Sequence, residues 1–308
     1  PAIVNAVARL TAATTRGVWM PPLALALVLG AAVAHAAWNV IAYGGSRTGI
    51  PFLWCGAVAG SVIWIAAVPL TGGIGTDDLV GFAIGIMVSA IMHVGYMLVL
   101  QRGYAHGNLS SVYAIARGTG PLLTVIVAVL VIGERPNVVA LVGVAVVIIG
   151  VVGMGFLGTS NGDGSGLRLR DPAVIFGLLT GACIATYTLW DVQALRTWEI
   201  SPVAFMVGCT MLEVPLYSIL LGRRIREVVP LAWREWPRLL AFGVLSPLSY
   251  ILVLAAAAIA PVALVAPLRE VSVVLVGIFG ALVLREGRAL WRIAACVLVA
   301  GGVVLIAL

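Results

Sequence analysis

Long apolar runs separated by short polar gaps dominate the chain and predict helices that cross a membrane. A spanning helix needs about 20 mainly apolar residues, and runs of that kind occupy residues 21–43, 50–71, 79–102, 110–133, 137–157, 172–195, 201–222, 237–259, 262–284 and 289–308. These runs are continuous, whereas a transmembrane β-barrel requires alternating segments of about ten residues. The pattern therefore predicts an all-α polytopic membrane protein with ten transmembrane helices.

The polar gaps suggest how the chain is divided. Residues 158–171 are rich in Gly, Ser and Asp and read as a flexible linker between a first five-helix unit, 20–157, and a second, 172–308. Residues 1–19 lack an apolar core and read as a tail or an interfacial segment. Residues 223–236 combine four arginines with two tryptophans, which is typical of an amphipathic stretch at the membrane interface.

The two units carry an internal repeat. A fixed shift of 152 residues places Trp38 on Trp190 and Arg117 on Arg269. These matches involve residue types that are scarce in this chain, so they carry more information than matches between Val and Ala. Because five helices is an odd number, the second unit must enter the membrane from the opposite side. We therefore expect two inverted five-helix repeats, the usual architecture of secondary transporters.

Composition and charge exclude other classes of protein. The chain is 62% hydrophobic and 10% charged, with a mean hydropathy of +1.14, whereas soluble domains are about 45–50% apolar and about 25% charged. The net charge of +6 comes from arginines that mostly flank apolar runs, which argues against a nucleic-acid-binding face. The four cysteines lie in separate apolar runs without metal-ligand spacing, so we expect no metal and no cofactor.

Two arginines lie well inside apolar runs at equivalent places in the repeat. Arg117 and Arg269 would each cost roughly 2.5–3.5 kcal/mol at the bilayer centre, so each needs a partner, a wet cavity or a function. Pro121 and Pro267 remove backbone hydrogen bonds close to both arginines and predict broken helices there. Either the arginines line a central cavity between the repeats, or they are structural and bind carbonyl groups at the helix breaks.

Acidic residues, histidines and aromatic residues inside the runs complete the candidate site. Glu213 can bind a substrate amine, carry a proton or pair with an arginine. Glu270 is expected to pair with Arg117, and Asp191 reads as structural. His93 and Tyr96 share a helical face. The substrate-binding candidates are Arg117, Arg269, His93, Tyr96, Tyr113, Trp38, Trp190 and Glu213. The candidates for coupling to a proton are His35, His93, Glu213 and Glu270.

Several of these residues stand in motifs that resemble a known family. The motifs are His35-Ala-Ala-Trp38-Asn39, Tyr113-Ala-Ile-Ala-Arg117-Gly-Thr-Gly-Pro121, Gly133-Glu134-Arg135-Pro136, Ala266-Pro267-Leu268-Arg269-Glu270 and Leu284-Arg-Glu286. Over about residues 20–308 the chain resembles the drug/metabolite transporter superfamily, in its ten-helix EamA-like branch. The resemblance implies alternating access without ATP, for amino acids, metabolites or cationic drugs. It also implies cytoplasmic termini. About four arginines lie on the side of the membrane that holds both termini and twelve lie on the other side, so the charge distribution favours termini outside the cytoplasm.

These observations predict a secondary active transporter that moves a small polar metabolite by alternating access. An amino acid or related zwitterion fits best, with a proton as the candidate coupling ion. We expect a multi-pass protein of the plasma membrane, or of the inner membrane in a Gram-negative bacterium, as a monomer or homodimer. The alternatives are a multidrug or organic-cation exporter, a structural or sensory membrane protein, and an intramembrane enzyme, for which the sequence lacks a clustered catalytic signature.

Overall fold

A computed structural model describes residues 20–42, 49–106, 109–158, 172–275 and 289–308. Within these ranges the chain is helical and contains no β-strand. The main helices are α1 (Pro22–Ala42), α2 (Ile50–Trp64), α3 (Leu79–His106), α4 (Leu109–Val127), α5 (Val138–Gly158), α6 (Pro172–Trp198), α7 (Pro202–Leu221), α8 (Val228–Ile259), α9 (Val262–Arg269) and α10 (Ala289–Ala307). The all-helical class predicted from the apolar runs is confirmed for this part of the chain.

Several helical stretches are suited to a membrane. Four of them are long and apolar enough to cross one by length and composition, namely Leu79–Gly103, Ile115–Ile132, Val174–Trp198 and Pro202–Ile259, the last of which combines α7 and α8. Shorter apolar stretches occupy Pro22–Trp38, Ile50–Trp64, Val138–Gly153 and Ala294–Ala307. Many large apolar side chains on these helices face outward, which suits lipid and not water. The number of ten spans stays a prediction.

The helices run alternately between two ends of the bundle. The clasp end, named for the ion pair between Glu134 and Arg196, carries the turns at 133–137, 199–201 and 260–261. There the Ser201 amide donates to the Ile74 carbonyl oxygen at 2.8 Å. The arginine end carries residues 222–227, and a Cβ at Gly49 would lie 3.9 Å from Arg224. The helices therefore connect a clasp end and an arginine end of the bundle.

Helices of residues 20–158 pack chiefly against helices of residues 172–308. Helix α1 packs on α8, α3 on α6 and α7, α4 on α6, α2 on α7 and α8, and α5 on α10. Glycines make some of these approaches close. A Cβ at Gly177 would lie 2.8 Å from Ile115, and one at Gly181 would lie 2.7 Å from Thr119. These spaced glycines therefore allow α6 to pack closely on α4, as their GxxxG pattern indicates.

The structure departs from the predicted gaps at both ends of the bundle. Helix α2 ends at Trp64, and a separate helical turn, Ala67–Leu70, follows it. The stretch 223–236, predicted as a gap, is helical: a 3₁₀ helix spans Gly222–Glu227, and α8 begins directly at Val228. Helix α8 is kinked at Glu235, where φ is −111° and ψ is 15°. Pro237 explains the kink, because it cannot donate a backbone hydrogen bond within the helix.

The predicted break in α4 is wrong, and the one in α9 occurs. Helix α4 stays helical through Pro121, and its irregular part is a π-helical turn at Ala128–Ile132. A single proline removes one hydrogen bond, which the remaining bonds of a long helix tolerate. Helix α9 ends at Arg269, and Glu270 forms a tight turn in which its amide donates to the Pro267 carbonyl oxygen at 3.0 Å.

Candidate functional site

A cavity of about 120 Å³ lies between the two halves of the bundle. Eight helices line it: α1 to α4 from the first half and α6 to α9 from the second. Helices α5 and α10 contribute no lining residue. Seven of the residues singled out from the sequence line this cavity, namely His35, Trp38, His93, Tyr96, Arg117, Glu213 and Arg269. The structure therefore brings together most of the predicted site.

Two arginines on one wall of the cavity share a single carboxylate. Arg117 is 7% exposed, Arg269 5% and Glu270 1%. Nη1 of Arg117 donates to both carboxylate oxygens of Glu270, at 3.3 Å each, as the sequence predicted for this pair. Nε of Arg269 lies 3.5 Å from Oε1 of Glu270, without a hydrogen bond to any described residue. Among the described residues, two guanidinium groups therefore face a single carboxylate beside the cavity.

His35 adds a further contact to this arginine wall. Nη2 of Arg117 lies in short hydrogen-bond contact with Nε2 of His35. A guanidinium group only donates hydrogen bonds, so Nε2 of His35 must be the acceptor, and the imidazole is neutral in this arrangement. Protonation of His35 would break the contact and place a third positive charge next to the two arginines. This geometry connects the protonation of His35 with the position of Arg117.

A carboxylate that has no partner among the described residues also lines the cavity. Glu213 lies on α7, one turn before Tyr217 and one turn after Thr210, and all three line the cavity. The carboxylate of Glu213 makes no hydrogen bond and no ion pair with the described residues. Glu213 is half-buried, and a carboxylate that is partly removed from water normally has such a partner. Among the described residues, the cavity thus offers an unpaired acid as well as two arginines for one carboxylate.

Aromatic side chains from three helices pack together on the cavity wall. The ring of His93 lies 4.2 Å from that of Tyr187 and 5.5 Å from that of Tyr250, measured between centroids. Tyr96 also packs on Tyr187, at 5.5 Å. The structure therefore brings His93 and Tyr96 to one wall, as their spacing predicts. The side chain of Tyr113, predicted to join them, lies outside the described residues.

Asp191 lies behind this aromatic wall. Its side chain is fully buried, and Oδ2 accepts a hydrogen bond from the Tyr250 hydroxyl at 2.5 Å. Nε2 of His93 is 3.9 Å from the same oxygen. Nδ1 of His93 lies 3.0 Å from the Ser89 carbonyl oxygen, which can only accept, so Nδ1 carries a proton. His93 thus connects the cavity with a buried carboxylate whose Oδ1 has no partner among the described residues.

The two repeat-matched tryptophans have different surroundings. Trp38 lines the cavity, packs edge-on against His35 at 4.9 Å and Phe242 at 5.3 Å, and has a buried Nε1 without an acceptor among the described residues. Trp190 does not line the cavity. Its Nε1 donates to the Gly85 carbonyl oxygen at 3.1 Å, and its ring packs near Trp198. The structure therefore does not bring Trp190 to the candidate site.

Several lining residues were missed by the sequence analysis. They include Thr210, Tyr187, Tyr217, Tyr250 and Phe242. Tyr187 had a signal, because the 152-residue shift places it on His35. Thr210 and Tyr217 also had one, because they share a helical face with Glu213. No comparable pattern marks Phe242 or Tyr250 among the many apolar residues of α8.

A second charge cluster, which we name the clasp, lies at the end of the bundle opposite the arginine end. It consists of Glu134 and Arg196. The two oxygens of Glu134 accept from the amides of Val262 at 3.0 Å and Ala263 at 2.9 Å, which are the first residues of α9. Nη1 of Arg196 donates to Glu134 at 3.1 Å. Nε and Nη2 of Arg196 donate to the carbonyl oxygen of Ala257, and Nη2 also donates to that of Ala260, at the end of α8.

The clasp binds the ends of two helices with the charges that those ends favour. An anionic group stabilises a helix N-terminus and a cationic group a C-terminus. Here a residue that follows α4 caps α9, so the contact joins the two halves of the chain. Glu286, which the 152-residue shift places on Glu134, lies outside the described residues, as does Arg285. The clasp joins helices of both halves at one end of the bundle, and neither of its residues lines the cavity.

Comparisons with known proteins agree with this architecture. Residues 171–308 match the model of the EamA-like transporter family. Among solved structures, 28 chains match, and one crystal structure superposes with a TM-score of 0.69 over 92% of this chain and 95% of the other. These two sequences are 17% identical, so this likeness shows the fold alone. No curated protein sequence matches the chain significantly.

Proposed function

Because this chain belongs to the drug/metabolite transporter superfamily, in its EamA-like group, we propose that it carries an amino acid or a related zwitterion through the cavity between its halves. The observation that carries the proposal is the charge balance of the cavity. One wall holds two arginines for one carboxylate, Glu270, and another holds the unpaired Glu213. A zwitterion has the two opposite charges that such walls would bind.

Each end of the solute would have its own partner. The solute carboxylate would accept from Arg117 and Arg269, since a guanidinium group matches a carboxylate in geometry and charge. The unpaired Nε1 of Trp38 is a further donor for the same group. The solute amine would donate to Glu213, and the rings of Tyr96 and Tyr187 would shape the space between them. His93 would lie beside this space.

The pairing of the helices supports an inverted repeat. If the halves are exchanged, α1 corresponds to α6, α3 to α8 and α4 to α9. The packing of α1 on α8 then corresponds to that of α6 on α3, and the packing of α4 on α6 to that of α9 on α1. Residue contacts follow the same rule. The 152-residue shift carries Gly143 to Ala295 and Gly150 to Gly302, and both Gly143–Gly302 and Gly150–Ala295 are close contacts.

The position of the cavity supports alternating access. In this conformation the clasp closes one end of the bundle, and Trp38, on the arginine-end side of His35 in α1, lines the cavity. An exchange of conformations between the halves would open the clasp end and close the other. The clasp would then have to separate, because Glu134 and Arg196 join helices of both halves. Opening the clasp is thus part of the proposed cycle.

A proton is the proposed coupling ion. The titratable residues His35, His93 and Glu213 line the cavity, and Glu270 lies behind the arginines. Protonation of His35 would disturb Arg117, and protonation of Glu213 would remove its charge for an amine. Uptake into proteoliposomes that a pH gradient does not accelerate would contradict this coupling. We further propose that the protein acts in the plasma membrane, as a monomer or homodimer, without a cofactor.

An organic-cation exporter is the second candidate. It is favoured by the unpaired Glu213 and by the tyrosines around it, because aromatic rings and an acid attract cations. Against it stand the two arginines and the size of the cavity. Its volume of about 120 Å³ is below the roughly 300–1,000 Å³ of pockets for drug-sized ligands. The second candidate therefore requires a wider cavity than this conformation provides.

A thermal-shift screen on the purified protein tests the proposal first. The ligands would be amino acids, the corresponding amines without a carboxylate, and the corresponding acids without an amine. We expect stabilisation by amino acids, weaker stabilisation by the acids, and none by the amines. Stabilisation by amines alone would favour the organic-cation exporter. Flux of the labelled hit into proteoliposomes would follow, with Arg117→Ala as the loss variant and Arg135→Ala, an exposed arginine beside the clasp, as the control.

A further inference from the structure

The arginine end of the bundle carries an exposed cationic and aromatic surface. It is formed by residues 222–238, which we name the arginine–tryptophan segment. The segment comprises the 3₁₀ helix Gly222–Glu227 and the first turns of α8. It contains five arginines and two glutamates. It is separate from the cavity, because none of its residues lines the cavity.

The 3₁₀ geometry sorts the charges of this segment onto different faces. In a 3₁₀ helix, side chains three residues apart eclipse each other. Arg224 and Glu227 share one face and form a bidentate pair, with distances of 3.0 Å and 2.8 Å. Arg223 and Arg226 share another face, where both are exposed and neither contacts an acidic side chain of the described chain. Two adjacent like charges without a counter-ion repel each other, so this face suits an anion.

The acidic residues of the segment are already engaged. A hydrogen bond from Arg224 lowers the pKa of Glu227, and the guanidinium of Arg238, with help from Arg234, lowers the pKa of Glu235. Both glutamates therefore stay ionised and paired at neutral pH. Neither is free to neutralise Arg223 or Arg226, and the segment keeps a net positive charge.

An exposed apolar stripe follows the cationic face. Val229 and Trp233 are four residues apart and share one side of α8, and Trp236 follows the kink at Glu235. Val229, Trp233 and Trp236 are 62%, 81% and 58% exposed. The opposite side is buried: Val228 and Leu231 pack in a cluster that includes Phe52, Cys55 and Leu239. The stripe therefore points away from the protein, and exposed tryptophans near the ends of membrane helices are typical of the membrane–water interface.

We propose that this segment is a binding site for the headgroup of an anionic phospholipid. Arg223 and Arg226 would hold the phosphate, since guanidinium groups bind phosphate oxygens in a bidentate manner. Val229 and Trp233 would lie against the adjoining glycerol and acyl region. Charge complementarity selects this occupant: the apolar stripe suits any lipid, and the uncompensated arginine face suits an anionic one.

Native mass spectrometry of the detergent-purified full chain tests this site. The protein would be mixed with equal amounts of phosphatidylglycerol and phosphatidylcholine, and the bound lipids would be counted. We expect a preference for phosphatidylglycerol that falls about fivefold for each arginine removed, in Arg223→Gln and Arg226→Gln. The control is the double variant Arg224→Gln/Glu227→Gln, which removes a pair with no net charge from the neighbouring face and should keep the preference.

None of these measurements needs a transported solute, so they test the lipid site separately from the proposed function. Arg223→Lys/Arg226→Lys keeps the charge and should keep most of the preference. Equal binding of the two lipids by the wild-type protein would overturn the proposal, and so would an unchanged preference in both glutamine variants. Displacement of the lipid by millimolar inorganic phosphate would indicate a free-anion site and overturn the lipid assignment. An acidic soluble protein that binds the segment in preference to vesicles would also overturn it.

Discussion

Two charge clusters in the described part of the bundle differ in how completely their groups are hydrogen-bonded. In the clasp, Glu134 accepts three hydrogen bonds, and the donors of Arg196 bind Glu134 and the end of α8. On the cavity wall, Arg117 and Arg269 share Glu270, and Nε of Arg269 makes no hydrogen bond to a described residue. The first cluster has no net charge, and its carboxylate oxygens are both hydrogen-bonded. The second holds two arginines for one carboxylate among the described residues, and Nε of Arg269 is an open donor beside the cavity.

This difference separates a structural role from a binding role. A buried ion pair that is fully hydrogen-bonded stabilises a particular arrangement of helices. A buried cluster with excess charge costs free energy until a ligand compensates for it. The clasp should therefore govern which end of the bundle is closed, and the cavity arginines should govern which solute binds. The following predictions test this division, from the largest expected effect to the smallest.

The largest effect is expected for Glu134→Ala. This change leaves Arg196 without its acid and the amides of Val262 and Ala263 without acceptors. Breaking one partner of a buried pair costs about 3–5 kcal/mol, so thermal unfolding in detergent should occur at a clearly lower temperature. The neighbouring exposed Arg135→Ala should have little effect. If the two variants unfold at the same temperature, the structural role of the clasp is refuted.

Glu270→Gln removes the acid of the charge cluster on the cavity wall, as Glu134→Ala removes the acid of the clasp. It leaves two buried arginines without an anion, so the unfolding free energy should also fall, by about 3 kcal/mol. Here a carboxylate solute at saturating concentration should restore part of the lost stability, because it supplies the missing charge. The same solute should not restore Glu134→Ala. Equal rescue of both variants would remove the distinction between the clusters.

Substitutions of the two cavity arginines should lower the unfolding free energy to different extents and should both weaken binding of the solute. Arg117 makes two hydrogen bonds to Glu270 and contacts His35, so Arg117→Gln should cost about 1.5–3 kcal/mol. Arg269→Gln should cost less than half of that, because its Nε makes no hydrogen bond to a described residue. Both should weaken binding of the carboxylate hit from the thermal-shift screen by at least tenfold. Normal binding in either variant would contradict the shared site.

Outside the two charge clusters, a loss of stability is also expected for Tyr250→Phe. The change removes the hydrogen bond that the hydroxyl donates to Asp191 and leaves a buried carboxylate under-satisfied. The cost should be about 1–3 kcal/mol, measured by thermal unfolding. Tyr96→Phe is the control, because its ring packs in the same aromatic wall and its hydroxyl does not bind Asp191. A larger loss for Tyr96→Phe would contradict this role of the Asp191–Tyr250 contact.

Scarce polar residues made part of the site predictable from the sequence. Arg117 and Arg269 stood out because charges inside apolar runs need a reason, and the repeat linked them. The pairing of Glu270 with Arg117 followed from the same argument. Tyr250 and Phe242 did not stand out, because α8 is apolar on most of its surface and the pattern does not tell which side faces the cavity.

Trp190 shows a second limit, which comes from the opposite directions of α1 and α6. Helices α1 and α6 run in opposite directions between the two ends of the bundle. Trp38 therefore lies on the arginine-end side of His35, whereas Trp190 lies on the clasp side of Tyr187. A cavity that extends from the middle toward the arginine end includes the first tryptophan and excludes its counterpart. Residues that are equivalent in sequence are thus not equivalent in one conformation.

The central claim is that the arginine wall binds the carboxylate of a transported zwitterion. The most direct measurement is equilibrium binding of the labelled amino acid from the thermal-shift screen to the purified protein, compared among the wild type, Arg117→Ala and the exposed control Arg135→Ala. We predict saturable binding by the wild type and the control, and a loss of at least tenfold in affinity for Arg117→Ala while it remains folded. Unchanged affinity in folded Arg117→Ala would contradict the claim.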